Sequence, residues 1–147
     1  MAEAHDWASE VVAHLTAAGW RPDRQIDLRD WARQLADGSG FHLHAAAARF
    51  LGEFGGLNVP QRRDRGQDVA SVTFELDPRN GAGRRDWFRA LGCPAHGALY
   101  PIGDAGGGHA ILAIDEDSTV FMLFGTECRR IGTGPEAVAN LVTGRRP

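Results

Sequence analysis

The order of apolar patterns along the chain predicts a single α+β domain. Three observations carry this expectation. The first 56 residues hold three segments whose apolar side chains recur at helical spacing. After Gly55-Gly56 the spacing changes to alternating or continuous apolar runs of strand length. The chain has 147 residues, enough for one hydrophobic core and too few for two, so residues 1–147 are read as one unit.

Residues 5–18 form the first expected helix, with Trp7, Val11 and Leu15 on one face and Val12 beside them. Gly19 stops it, and Pro22 keeps the following segment extended. Asp27 is a good N-cap for a second helix carrying Leu28, Trp31 and Leu35, which the stretch Asp37-Gly38-Ser39-Gly40 ends. The third helix has the strongest pattern: Leu43, Ala47, Phe50, Leu51 and Phe54 share one face, and Gly55-Gly56 terminates it. Large apolar side chains each stabilise by about 1.5–3 kcal/mol when buried, so this helix is expected to wall the core.

Strands follow. Leu57 and Val59 suggest a short one ended by Pro60, and the charged stretch from Gln61 to Asp68 reads as a solvated loop. Val72, Phe74 and Leu76 alternate with Thr73 and Glu75 until Asp77-Pro78, as a strand with one wet face does. Residues 84–91 predict a short helix through Trp87, Phe88 and Leu91. Leu99 to Ile102 reads as a short strand whose Pro101 favours an edge or a strand end. Ala110–Ile114 and Val120–Phe124 are continuous apolar runs joined by the acidic turn Asp115-Glu116-Asp117-Ser118-Thr119, the mark of a hairpin covered on both faces. A last helix is expected over 134–143, with Pro135 in its first turn, Thr133-x-x-Glu136 as a capping box, and Gly144 closing it.

Charge and composition exclude several function classes. The formal net charge is −3, whereas direct nucleic-acid binding rests on clustered cations. All 16 basic residues are arginine, which reflects codon bias before it reflects function. No run approaches the roughly 18 apolar residues of a membrane helix, and the start of the chain carries acids where a signal peptide carries cations. A cytoplasmic protein is therefore expected. In that reducing setting Cys93 and Cys128, distant in sequence and outside any CxxC pattern, should be two free thiols.

The search for chemistry returns little. His42 and His44 would share a strand face, but no third ligand accompanies them, so one of them is expected to cap or flank the third helix. Gly103-Asp104-Ala105-Gly106-Gly107-Gly108 leads into a strand and not into a helix N-terminus, so a hairpin loop is favoured over a phosphate loop. Asp115-Glu116-Asp117 lacks the spacing of a calcium loop and reads as an exposed acidic turn. None of Ser9, Ser39, Ser71 and Ser118 lies in a nucleophile elbow, and Cys93 with His96 is better read as a small thiol beside a turn than as a hydrolase pair. The expectation is a protein without catalytic residues, metal or cofactor.

Several segments in order resemble one known family: Ala17-Ala18-Gly19-Trp20-x-Pro22, Ala46 through Phe50-Leu51-Gly52-Glu53-Phe54-Gly55-Gly56-Leu57, and Phe74-x-x-Asp77-Pro78. Leu99-Tyr100-Pro101-Ile102-Gly103, Ile114-Asp115-Glu116, Gly134-Pro135-Glu136-Ala137 and Gly144-x-Arg146-Pro147 continue the series. Together, over roughly residues 17 to 147, they resemble the SUKH-3 type of the SUKH superfamily of immunity proteins. The resemblance implies a central, mostly antiparallel sheet flanked by helices. It also implies a partner, a cognate protein toxin, commonly a nuclease or nucleic-acid deaminase, that the chain would neutralise by covering it. A SUKH-type scaffold or regulatory module that binds some other protein is the alternative.

The matching residues Trp20, Phe50, Leu51, Phe54, Gly55, Gly56, Leu57, Pro101, Ile102 and Gly103 are expected to serve packing and turns. A toxin-binding surface must lie elsewhere. The hairpin strands are apolar on both faces, so only the ends of the sheet can offer polar groups. Asp115, Glu116 and Asp117, with Asp104 on the preceding loop, are the candidates: their negative field would suit a basic, nucleic-acid-acting cleft.

Overall fold

The computed structural model describes residues 5–60 and 73–144. The expected loop from Gln61 to Asp68, and Val72, lie outside the described residues. Among the described residues, five helices accompany one six-stranded sheet: α1 (Ser9–Ala17), α2 (Arg29–Ser39), α3 (Ala45–Phe54), β1 (Asn58–Pro60), β2 (Thr73–Glu75), α4 (Arg85–Leu91), β3 (Tyr100–Ala105), β4 (Ala110–Ile114), β5 (Thr119–Phe124), β6 (Glu127–Thr133) and α5 (Pro135–Thr143). A 3-10 turn spans Pro78–Gly81 between β2 and α4. The strands lie in chain order, each antiparallel to the next. The α+β class and the mostly antiparallel sheet hold.

The register shows what covers each face. Tyr100, Ile114 and Val120 line up across β3, β4 and β5 and point to one side. That side meets the helical layer: α3 packs against β3, and the His44 ring at its N-terminus stands beside Tyr100 and reaches the Ile114 carbonyl. Pro101, Ala113 and Phe121, with Ile111 and Leu123, point to the other side. The 3-10 turn covers them, so closely that a Cβ on Gly81 would sit 2.5 Å from Pro101. All of β4 is buried in consequence, as its continuous apolar run requires.

Close approach explains two glycines. A Cβ on Gly55 would stand 2.5 Å from the Leu51 carbonyl and 2.7 Å from the Trp31 ring. One on Gly103 would stand 2.1 Å from the Glu75 carbonyl. Both lie far inside van der Waals contact, so any side chain there forces backbone apart. Trp20, Phe50, Leu51, Phe54, Leu57, Pro101 and Ile102 are buried around them.

Several details differ from the sequence expectations. Trp7 precedes α1, because Ala8 is extended at φ −60°, ψ 149° and serves as N-cap. Its ring still packs 5.0 Å from Trp20, and its indole donates to the Pro135 carbonyl. Asp27 stands one residue too early to be the N-cap of α2, yet its carboxylate accepts from the Arg29 N–H. Pro101 is in an interior strand, near its start, beyond the end of the β2 pairing. β6 was not foreseen, since Glu127, Arg129 and Arg130 hide its pattern. Glu136 accepts from the Thr133 N–H, the returning half of the expected capping box.

The expectation of two free thiols is wrong. Cys93 and Cys128 are joined by a disulfide, with Cα atoms 5.7 Å apart across a sequence separation of 35. The register explains it: Cys128 pairs with Leu123 and so shares the sheet face that the segment from Pro78 to Cys93 crosses. Sequence distance carried no information about that proximity. Closing a loop of this size restricts the unfolded chain and is worth about 2–4 kcal/mol. Cys128→Ser should lower the unfolding free energy by that amount in denaturant melts under oxidising conditions, and reductant should then have little further effect. Equal parent and variant melts would show that the bond does not restrict the unfolded chain.

Tyr100, the only tyrosine, is 1% exposed, and its hydroxyl has no hydrogen-bond partner among the described residues. Burial pushes its ionisation up to about 12. In the unfolded chain the phenol loses its proton near pH 10. Between about 10 and 12 the unfolded state therefore binds fewer protons than the folded one, and stability falls as pH rises through that window. Because the chain has one tyrosine, phenolate absorbance reads this group alone. The native protein should titrate near 12 and the denatured protein near 10, and Tyr100→Phe should flatten the alkaline decline. A native midpoint near 10 would mean that water reaches the ring.

Candidate functional site

The turn between β4 and β5 is built around one inward carboxylate. Asp115 is fully buried. Its Oδ1 accepts from the backbone N–H of Asp117 and Thr119, each at 2.9 Å, and its Oδ2 accepts from the His96 N–H at 2.9 Å. Three charge-assisted bonds to backbone donors stabilise the turn strongly enough to hold Ser118 at φ 67°. That left-handed conformation costs a non-glycine residue about 1–2 kcal/mol.

Asp115 also fastens a second segment, residues 93–99, to the hairpin. The Glu116 N–H donates to the His96 carbonyl, and the Glu116 carboxylate accepts from the Ala98 N–H at 2.7 Å. Gly97 sits under that carboxylate: at φ +82° its missing Cβ would lie 2.0 Å from Glu116 Oε2. Asp117 is exposed, with Oδ2 2.9 Å from His96 Nδ1, both side chains well over half in solvent. An ion pair so exposed is worth little to stability.

The four candidate acids therefore separate into three kinds. Glu116 and Asp117 reach the surface at the turn. Asp115 does not, which corrects the picture of three consecutive exposed carboxylates. Asp104 is only 8% exposed and lies in β3, not in a loop. It pairs with Ile111, so it stands by the glycine turn at the opposite end of β4, roughly 13 Å along the strand from Asp115. Burial and the neighbouring Glu75 raise its pKa, and it accepts hydrogen bonds from the Asn80 side chain and the Gly108 backbone. One surface cannot present all four.

The remaining candidates have structural places. His44 caps α3: Nδ1 accepts from the Ala47 N–H at 3.1 Å, which leaves the proton on Nε2, 3.3 Å from the Ile114 carbonyl. His42 is exposed. Gly106, Gly107 and Gly108 all have positive φ in the β3–β4 turn. Cys93 is oxidised and is no free nucleophile for His96 to activate. Among the described residues no group of three or more His, Cys, Asp or Glu is arranged to hold a metal ion, and no helix is long and apolar enough to cross a membrane.

One feature of this end escaped sequence reasoning. A shallow cleft of about 370 Å³ runs between α4 and residues 93–99, and its lining includes Gly40, His42, Arg85, Arg89, Cys93 and Gly97. The i, i+4 spacing of Arg85 and Arg89 was a signal, but nothing in the sequence says that their face of α4 meets residues 40–42.

The family model described as SUKH-3 immunity protein matches residues 7–144. No curated protein and no solved structure matches the chain.

Asp115 and Asp117 should respond oppositely to truncation. Asp115→Ala leaves three backbone donors without their acceptor inside the protein and should cost at least about 2 kcal/mol in chemical denaturation. Asp117→Ala should stay within about 0.5 kcal/mol of the parent. Similar losses for the two variants would mean that Asp115 does not organise the turn.

Proposed function

Since the chain belongs to the SUKH-3 immunity protein family, we propose that it binds one cognate protein toxin and neutralises it by occlusion, with no turnover of its own. The observation that carries this reading is the family match over nearly the whole length of the domain. The toxin is a nuclease or nucleic-acid deaminase. Such an enzyme holds a polyanion and needs a basic cleft, and a rigid acidic projection is suited to enter it. Glu116 and Asp117 supply that projection, on a turn already fixed from inside by Asp115. A standard interface of about 1,600 Å² would extend well beyond the turn.

Growth of cells that express the toxin domain encoded beside this gene is the direct test: co-expression of the chain should restore it. Failure to restore growth, with both proteins present, would favour a SUKH-type scaffold that serves another partner. The acidic turn is tested separately with Glu116→Arg and Asp117→Arg. Complementary charge acts mainly on encounter, so the double variant should associate with the toxin several-fold more slowly, and added salt should slow the parent more than the variant. Equal association rates at low and high salt would remove the turn from the interface.

A further inference from the structure

We infer that the cleft between α4 and residues 93–99 receives an extended segment of the partner protein that carries acidic and apolar side chains. The inference rests on the reading that the chain binds a protein toxin, and it names a second contact with chemistry opposite to that of the acidic turn. The cleft has a cationic rim. Arg85 and Arg89 lie one helical turn apart on α4, His42 is part of the same lining, and all three are exposed. No acid contributes to the lining, and neither guanidinium has a hydrogen-bond or ion-pair partner among the described residues. Two unpaired guanidiniums above one cleft, in a protein of net charge −3, are suited to carboxylates, which the guanidinium fork binds in bidentate fashion.

The geometry holds these cations in place. Gly40 ends α2 at φ +71°, and the point where its Cβ would stand is 3.5 Å from Arg85 Cδ. The stem of Arg85 therefore lies over a residue that has no side chain to displace it. Phe41, Phe88 and Leu99 form an apolar part of the lining. The disulfide at Cys93 fixes the end of α4 to β6, so this wall is anchored to the sheet.

The surroundings favour a peptide over a nucleic acid. Gly97 and Ala98 line the cleft, and Ala98 is bonded to Glu116, so the exposed carboxylates of Glu116 and its sequence neighbour Asp117 stand behind the wall that faces the cations. A phosphate backbone tracking past them would be repelled. A protein segment can match both, with acids over Arg85 and Arg89 and bases over Glu116 and Asp117.

The test uses the full chain and a dye-labelled peptide of alternating Glu and Leu, followed by fluorescence anisotropy. The parent should bind, more weakly as salt rises. Arg85→Glu with Arg89→Glu should weaken binding by about tenfold or more. The milder Arg85→Gln with Arg89→Gln should fall between, and Arg129→Glu on β6 should match the parent. A peptide of alternating Glu and Ser should bind less well than the Glu and Leu peptide. No binding to the parent, equal binding by the charge-reversed variant, or displacement of the peptide by single-stranded DNA would each overturn the inference. Growth rescue separates the two readings: intact rescue without peptide binding removes the cleft alone, whereas peptide binding without rescue removes the toxin reading.

Discussion

The rest of the fold depends on burying a hairpin that is apolar on both faces. β4 is inaccessible along its whole length, and half of β5 with it, so neither side of the central sheet can be left to water. Two layers are needed, and the chain takes them from different places. Helices from both ends supply one: α3 against β3, α5 against β6, and α1 against α5. The other comes from the middle of the chain, where residues 78–93 leave β2 and cross the face that carries Pro101, Ala113 and Phe121. Burial on both faces is the main favourable term for a domain of this size.

Covering the second face also shapes the end of the molecule that carries the candidate site. The chain that crosses it must return to start β3, and residues 93–99 make that return beside the β4–β5 turn. Asp115 bonds to the backbone of both, which makes two loops into one rigid edge. The disulfide holds the same segment to β6 from the other direction. The arginines of α4 thereby form one wall of the cleft, and the acidic turn backs the other through the bond from Ala98 to Glu116. A binder that works by occlusion benefits from such preorganisation, because little conformational freedom remains to be lost on association.

Legibility in the sequence followed the strength of local pattern. The helical spacing of Phe50, Leu51 and Phe54 and the apolar runs of β4 and β5 were readable because burial demands them whatever the neighbours do. β6 was not, since an edge strand keeps one side in water and three of its seven residues are charged. Trp7 was placed in a helix because its spacing fits, yet it packs from an extended segment. Periodicity cannot tell those cases apart.

By itself the sequence determined the class of fold, the order of nearly all elements, the core-facing residues and the family, because each of these follows from short-range pattern or from motifs in order. Tertiary structure decided which polar residues are available for function. Asp115 and Asp117 are two residues apart in one acidic run, and only the bond from His96, nineteen positions upstream of Asp115, shows that the first is internal. Cys93 and Cys128 became a pair only because strand register set Cys128 on the face that the segment ending at Cys93 crosses. Arg85, Arg89 and His42 became a rim only because α4 packs beside residues 40–42. Local sequence fixes how a segment bends and which side it hides. What stands across from it depends on contacts between distant segments, and those carry no local signature.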